Sequence, residues 1–328
     1  MAFYRRDYPA SRELFFKALE ADSNFVAPIL KVAVAYGNQG IYEGAKEWSL
    51  KAWGKKDRMS RLEKLYTGWV YNIYYGDPYE ELKFARHIVE LDDQIAGGHS
   101  ILGLNYLELR QYNKAISEFE KALDIYDKWG IKPLWIFNYT ALGDAYHKTG
   151  QYRKEKRLYR KAEKDFPGDP TLLSMQATLA LSTGATKEAD EYIDRYISAL
   201  EERSYSGAAI ASNLGSIYWD AGMLRKAEEK YREALTLEPD NATRMNNLAY
   251  ILIDNEIDIE EGLELADKAI SIDPDNYLFF DTKGLGLYKQ GWYKEARAYL
   301  EKSWELKPVY DHGVFLHLEA AREAVDNQ

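Results

Sequence analysis

The chain has no cysteine, only 9 prolines among 328 residues, and no long apolar run. The absence of cysteine excludes disulfides, cysteine-ligated zinc, iron–sulfur clusters and thiol catalysis. Because no stretch approaches about 18 apolar residues, the sequence predicts no membrane-spanning helix. The scarcity of proline, together with 46% hydrophobic residues, argues against long disordered tracts.

The chain also has fewer positive than negative residues: 43 Lys and Arg against 53 Asp and Glu, which gives a net charge of −10. Chains that bind nucleic acid usually carry a basic face, so this balance argues against a nucleic-acid partner. The charges are unevenly placed, with a basic run at residues 151–164 and an acidic run at residues 254–275. The basic run suits an acidic partner or phosphates, or it is a solvated outer helix whose aromatic residues pack inward.

Sequence motifs for catalysis and for nucleotide or metal binding are missing as well. The chain has no phosphate-binding GxxxxGK[ST] loop, no HExxH and no GxSxG. Of its 5 histidines only His312 and His317 are close in sequence, and a separation of five does not place both on one helix face. Paired carboxylates are typical of solvated helix surfaces. We therefore predict that the protein is not an enzyme and uses neither a cofactor nor a metal.

The sequence does contain a repeat of about 34 residues. Short turn signals recur at that spacing between Gly40 and Gly291, and about 14 residues with helical apolar spacing flank each turn. Because proline cannot continue a helix, it is expected to end the second helix of several units, at Pro167, Pro239, Pro274 and Pro308. The pattern predicts pairs of antiparallel helices repeated along the whole chain.

Small residues recur at one phase of these predicted helices. The middle of the first helix holds Ala33, Gly103, Gly143, Ala177, Gly215, Ala249 and Gly284, with Trp69 as the departure. Glycine inside a helix costs roughly 0.5–1 kcal/mol relative to alanine, so its recurrence indicates that helices approach closely there. Glu81 and Glu155 are departures in the second helix, where other units open with Ala or Gly.

This spacing and these residues resemble the tetratricopeptide repeat family, and the resemblance covers essentially the whole chain. It implies an all-α fold, a right-handed α-solenoid of about eight helix pairs with partial units at both ends, forming one domain over residues 1–328. A lead-in helix at 1–25 and a terminal helix at 311–328 flank units at 26–59, 62–95, 96–129, 136–169, 170–203, 208–241, 242–276 and 277–310. The longer insertions near residues 130–135 and 204–207 are hinges or ordinary longer loops.

In this family, partner peptides lie in a concave groove lined by first helices. Carried onto this chain, the resemblance places a peptide-binding groove at Ser212, Asn213, Ser216, Trp219, Asp220, Asn246, Asn247, Tyr250, Asp254, Asp281 and Tyr288. Asn213 and Asn247 occupy equivalent positions in successive units. They form a ladder of amides for a peptide backbone, or they hydrogen-bond neighbouring helices. The family's clamp for a C-terminal carboxylate is not assembled, so we expect no recognition of that kind.

We therefore expect a non-enzymatic scaffold or adaptor that binds a peptide or protein segment in its groove. The alternative is a regulatory or sensor portion of a larger bacterial signalling protein, such as a kinase, a cyclase or a transcription activator. The chain begins in the middle of a unit, as a piece of a longer protein would. The sequence names neither the partner, nor the oligomeric state, nor the compartment, for which the cytoplasm is preferred and the periplasm stays open.

Overall fold

A computed structural model describes residue 3 and residues 6–22 and 25–327. Apart from short 3₁₀ turns, the regular structure of these residues consists of α-helices, without a strand. The all-α fold class is thereby confirmed. The chain divides into two compact units, Met1–Gln151 with Pro308–Tyr310, and Tyr152–Lys307 with Asp311–Gln328. The single domain predicted over residues 1–328 stays a prediction.

The helices follow the predicted pairs. In the first unit they are α1 (Tyr8–Ala21), α2 (Val26–Gly37), α3 (Tyr42–Trp53), α4 (Arg61–Tyr75), α5 (Pro78–Leu91), α6 (Ala96–Glu108), α7 (Tyr112–Lys128) and α8 (Phe137–Lys148). In the second they are α9 (Tyr152–Asp165), α10 (Pro170–Ser182), α11 (Thr186–Glu201), α12 (Gly207–Asp220), α13 (Leu224–Leu237), α14 (Ala242–Asp254), α15 (Ile259–Ile272), α16 (Tyr277–Lys289), α17 (Tyr293–Leu306) and α18 (His312–Asp326).

The helix ends lie where the local sequence puts them. Helices α9, α13, α15 and α17 each stop two residues before the proline predicted to end them. Five glycines in turns between successive helices take left-handed backbone conformations with φ between 67° and 80°, namely Gly40, Gly150, Gly184, Gly222 and Gly291. In the second unit a side chain caps the start of each first helix and of α18: Asp169, Ser206, Asn241, Asn276 and Asp311. Each such cap stabilises its helix by about 1 kcal/mol.

The recurring glycines mark places where paired helices touch. A Cβ added at Gly103 would lie 2.8 Å from the ring of Phe119, which belongs to the second helix of the same pair. Gly215 and Tyr231 have the same separation in sequence, and a Cβ added at Gly215 would lie 2.8 Å from that ring. Gly284 and Leu300 form a third such pair, with a distance of 2.5 Å. The packing of a large side chain onto bare backbone offsets the helix propensity that glycine loses.

The first helix of the unit predicted at 62–95 differs in register. Gly68 faces Phe84 at that same spacing along the chain, so Gly68 and not Trp69 is the small residue at the close approach. Helix α4 begins at Arg61. The Trp69 indole Nε1 donates to Asn105 Oδ1 on α6 at 3.1 Å. The sequence pattern missed this shift because Gly68 and Trp69 are adjacent. Only the packing of the helices shows which of the two faces the second helix.

The apolar core of the second unit is spread along the chain. Separate clusters of buried side chains form around Leu173 and Ile193 on α10 and α11, around Leu248 and Leu252 on α14, and around Leu300 on α17. Each helix packs mainly on its sequence neighbours, and first helices such as α14 and α16 also touch each other. Stability of this kind is a sum of interfaces between neighbouring repeats.

Candidate peptide-binding groove

The predicted groove residues lie on α12, α14 and α16, all within the second unit. A side-chain hydrogen bond joins the first two of these helices, because Asn247 Nδ2 donates to Ser212 Oγ at 2.9 Å. The rings of Trp219 and Tyr250 meet edge to face, with centroids 5.4 Å apart and an interplanar angle of 66°. Both rings are partly exposed. The structure therefore brings α12 and α14 together through polar and aromatic contacts.

The two asparagines proposed as a ladder have different surroundings. Asn247 uses an amide N–H to bond Ser212 on α12, so it takes part in a contact between neighbouring helices. Asn213 is partly exposed, and no described residue hydrogen-bonds its side chain. Of the two amides, the one on Asn213 thus keeps its full donor and acceptor capacity for a ligand.

Three of the predicted groove residues are buried and do not form an accessible surface. Ser212, Asn246 and Asp281 are 4%, 8% and 5% exposed. Asp281 accepts a hydrogen bond from His317 Nδ1 at 2.9 Å, which joins α16 to α18. Within the described chain the Asn246 Oδ1 atom has no hydrogen-bond partner. These three residues occupy the same position in successive repeats. Side chains at that position are buried between neighbouring helices.

The remaining predicted residues lie nearer to solvent. Asp220 is exposed, and Ser216, Asp254 and Tyr288 are partly buried. Ser216 Oγ is 2.9 Å from the Tyr231 hydroxyl, so this serine also takes part in packing. The accessible part of the predicted groove therefore consists of Asn213, Trp219, Asp220, Tyr250, Asp254 and Tyr288.

A polar cluster that the sequence did not suggest lies in the first unit, at His99. The ring is 3% exposed, and its Nδ1 lies 2.6 Å from Glu118 Oε2 while its Nε2 lies 3.0 Å from the Asp93 carbonyl oxygen. Both neighbours are acceptors, so this site favours the protonated ring, which donates from both nitrogens. The hydrogen bond to Glu118 raises the pKa of His99, although burial opposes the charged ring. The contact between His99 and Glu118 joins α6 to α7.

The residues that the structure describes contain no cluster of three or more His, Asp or Glu side chains arranged to hold a metal ion. They also contain no helix that is both long and apolar enough to cross a bilayer.

Family comparisons agree with the repeat geometry. A family profile described as tetratricopeptide repeat matches residues 208–241, and a second with the same description matches residues 98–128 and 138–164. This is a tetratricopeptide repeat protein. Repeats of this kind generally mediate protein–protein interaction and typically build scaffolds that are not catalytic.

Two curated relatives show how far the similarity extends. A TPR repeat-containing protein of Pseudomonas aeruginosa is 36% identical over 95 residues, which cover 29% of this chain and 16% of that protein. A human protein O-mannosyl-transferase is 26% identical over 212 residues, which cover 63% of this chain and 23% of that enzyme. This tetratricopeptide repeat chain thus matches less than a quarter of the length of either relative.

The fold also resembles a solved structure. One chain in the crystal structure of the APC/C hetero-tetramer Cut9–Hcn1 superposes with a TM-score of 0.56 at 15% identity, covering 85% of this chain and 52% of that one. Identity at this level shows a shared fold and carries no information about partners.

Proposed function

We propose that this tetratricopeptide repeat protein is a non-enzymatic scaffold or adaptor whose helices α12, α14 and α16 bind an extended segment of a partner protein. The observation that supports this most is the accessible Asn213 amide, which no described residue engages. An amide of this kind can donate to and accept from a peptide backbone without requiring a particular sequence. The adjoining helix carries Tyr250, which with Trp219 supplies aromatic surface of the type enriched in binding hot spots.

The signalling alternative gains no support from the two curated relatives, since neither is named as a kinase, a cyclase or a transcription activator. The matched human enzyme is named as a transferase, but the aligned residues are only 23% of its length. We therefore keep a non-catalytic role for the repeats of this chain.

Asn213→Ala is expected to weaken the binding of groove ligands about tenfold, because it removes amide contacts worth about 1.4 kcal/mol. Twelve-residue peptides selected by phage display on the wild-type protein serve as ligands, and fluorescence anisotropy gives their dissociation constants. Since the Asn213 side chain bonds no described residue, its loss should leave the melting temperature unchanged.

Two further variants make the test specific. Asn113→Ala removes an exposed amide from the second helix α7 and should change neither affinity nor stability. Asn247→Ala breaks the bond to Ser212 and should lower the free energy of unfolding by about 1 kcal/mol. If the selected peptides bind Asn213→Ala and Asn113→Ala as tightly as the wild type, the groove assignment is wrong.

A further inference from the structure

An open cleft of about 380 Å³ lies on second helices of the first unit, between α5 and the start of α7. Its lining includes Tyr79, Arg86 and His87 of α5, with Gln111 and Lys114 at the start of α7. The proposed groove lies instead on first helices of the second unit. The cleft is therefore a separate surface.

Two cations in this cleft are arranged around one tyrosine of α6. Arg86 donates to the Tyr106 hydroxyl through Nε at 3.3 Å and through Nη2 at 3.2 Å. Lys114 Nζ lies 5.4 Å from the centroid of the same ring and donates to Gln111 Oε1 at 2.8 Å. Tyr106 is 8% exposed, so a buried side chain orients the guanidinium. The remaining Arg86 N–H groups are available to an acceptor in the cleft.

Neither of these cations has a carboxylate partner among the described residues, although the chain contains 53 Asp and Glu. Other cations of the chain do have one: Arg232, for example, binds both oxygens of Glu261, at 2.7 Å and 2.6 Å. The mutual repulsion of two like charges held near one ring is offset when an anion lies between or beside them. Their arrangement therefore favours an anionic ligand.

Carboxylates near the rim of the cleft indicate which kind of anion it binds. Lys83 pairs with Glu80 at 3.3 Å, and His87 lies 3.9 Å from Glu90. These two carboxylates lower the positive electrostatic potential of the cleft. A singly charged carboxylate fits this balance better than a dianionic phosphate. Tyr79, which is 67% exposed, adds an aromatic surface beside the cations.

We propose that this cleft binds carboxylate side chains of an acidic segment of a partner protein. Arg86 presents its planar fork to one carboxylate, and Lys114 supplies a second positive charge near it. The Tyr106 hydroxyl fixes the position of the guanidinium. This site for an acidic segment shares no residue with the groove on α12, α14 and α16.

The test uses fluorescein-labelled acetyl-octaglutamate amide, with octaglutamine as the neutral probe, in fluorescence anisotropy at about 50 mM salt. The wild-type chain should bind the octaglutamate peptide and not the octaglutamine peptide. The Arg86→Gln/Lys114→Gln variant should lose about tenfold or more in affinity, as expected for two charge-assisted contacts. Tyr106→Phe keeps the ring but frees the guanidinium, and should lose about threefold.

The matched control is Lys268→Gln/Lys302→Gln, which removes the same charge from exposed positions of the second unit. It should lose less than about twofold, because neither lysine lines the cleft and exposed charges are screened by salt. Equal losses in the two double variants, or equal binding of octaglutamine, would overturn the proposal in favour of diffuse attraction. Tighter binding of a phosphoserine octapeptide than of octaglutamate would overturn the assignment to carboxylates. Circular dichroism confirms that each variant is folded.

Discussion

Phe119→Ala is expected to lower the free energy of unfolding by about 3–5 kcal/mol. Phe119 is 0% exposed, and its ring fills the space above the bare backbone of Gly103 and meets the ring of Phe137 at 6.2 Å. Gly103 has no side chain that could move into the space, so the truncation leaves a cavity between α6, α7 and α8. Equilibrium urea unfolding followed by circular dichroism measures the change.

Trp129→Ala is the control for this substitution. It removes a larger ring from the same part of the chain, but Trp129 is 63% exposed, so the loss should stay within about 0.5 kcal/mol. Similar losses in the two variants would show that Phe119 does not fill a tight contact between paired helices.

Glu81→Gln is expected to stabilise the protein progressively as the pH rises. Glu81 is 4% exposed and accepts a hydrogen bond from Asn105 Nδ2 at 3.1 Å, while Asn105 Oδ1 accepts from the Trp69 indole. Burial, with the nearby carboxylates of Glu108 and Asp77, raises the pKa of Glu81 to about 8 against the opposing effect of the Asn105 bond. The carboxyl group is therefore mostly neutral in the folded protein at pH 7.

The sign of the effect follows from proton linkage. Because the pKa of Glu81 is raised from its ordinary 4.5 to about 8 on folding, the neutral form stabilises the fold below pH 4.5. That contribution is lost as the pH rises from 4.5 to 8, and amounts to on the order of 5 kcal/mol. Glutamine keeps an acceptor for Asn105 but does not ionise, so the variant does not show this loss.

Urea unfolding at pH 5, 7 and 9 compares Glu81→Gln with the wild type. The stability difference should grow with pH and level off above pH 8. Glu295→Gln, an exposed glutamate in the first turn of α17, should show no such growth. A difference between Glu81→Gln and wild type that is independent of pH would contradict the buried neutral carboxyl.

Much of the fold was predictable because its determinants are local. Proline ends helices through sterics within one turn, and α9, α13, α15 and α17 stop where Pro167, Pro239, Pro274 and Pro308 require. Gly103, Gly215 and Gly284 recur in sequence because each faces a large side chain on the second helix of its own pair. Where Gly68 stands next to Trp69, however, local pattern did not place the first helix correctly.

The candidate site was less predictable, because it depends on which side of a first helix each polar residue faces. The family positions include Asn213, Trp219 and Tyr250, which are partly exposed, and their role in binding stays a prediction. They also included Ser212 and Asp281, which the structure buries. Repeat spacing alone does not separate these positions, since neighbouring residues on one helix differ in burial only through the packing of the next helix.

The sequence by itself determined the repeated helix pairs, the ends of many helices and the family. Only the tertiary structure decided that Asn247 bonds Ser212 while Asn213 stays unbonded, and that Arg86 and Lys114 meet at Tyr106. The physical reason is the separation in sequence between the residues that interact. Helix starts, stops and apolar faces arise from neighbours within a few residues, whereas these contacts join side chains on different helices and depend on how the helices pack.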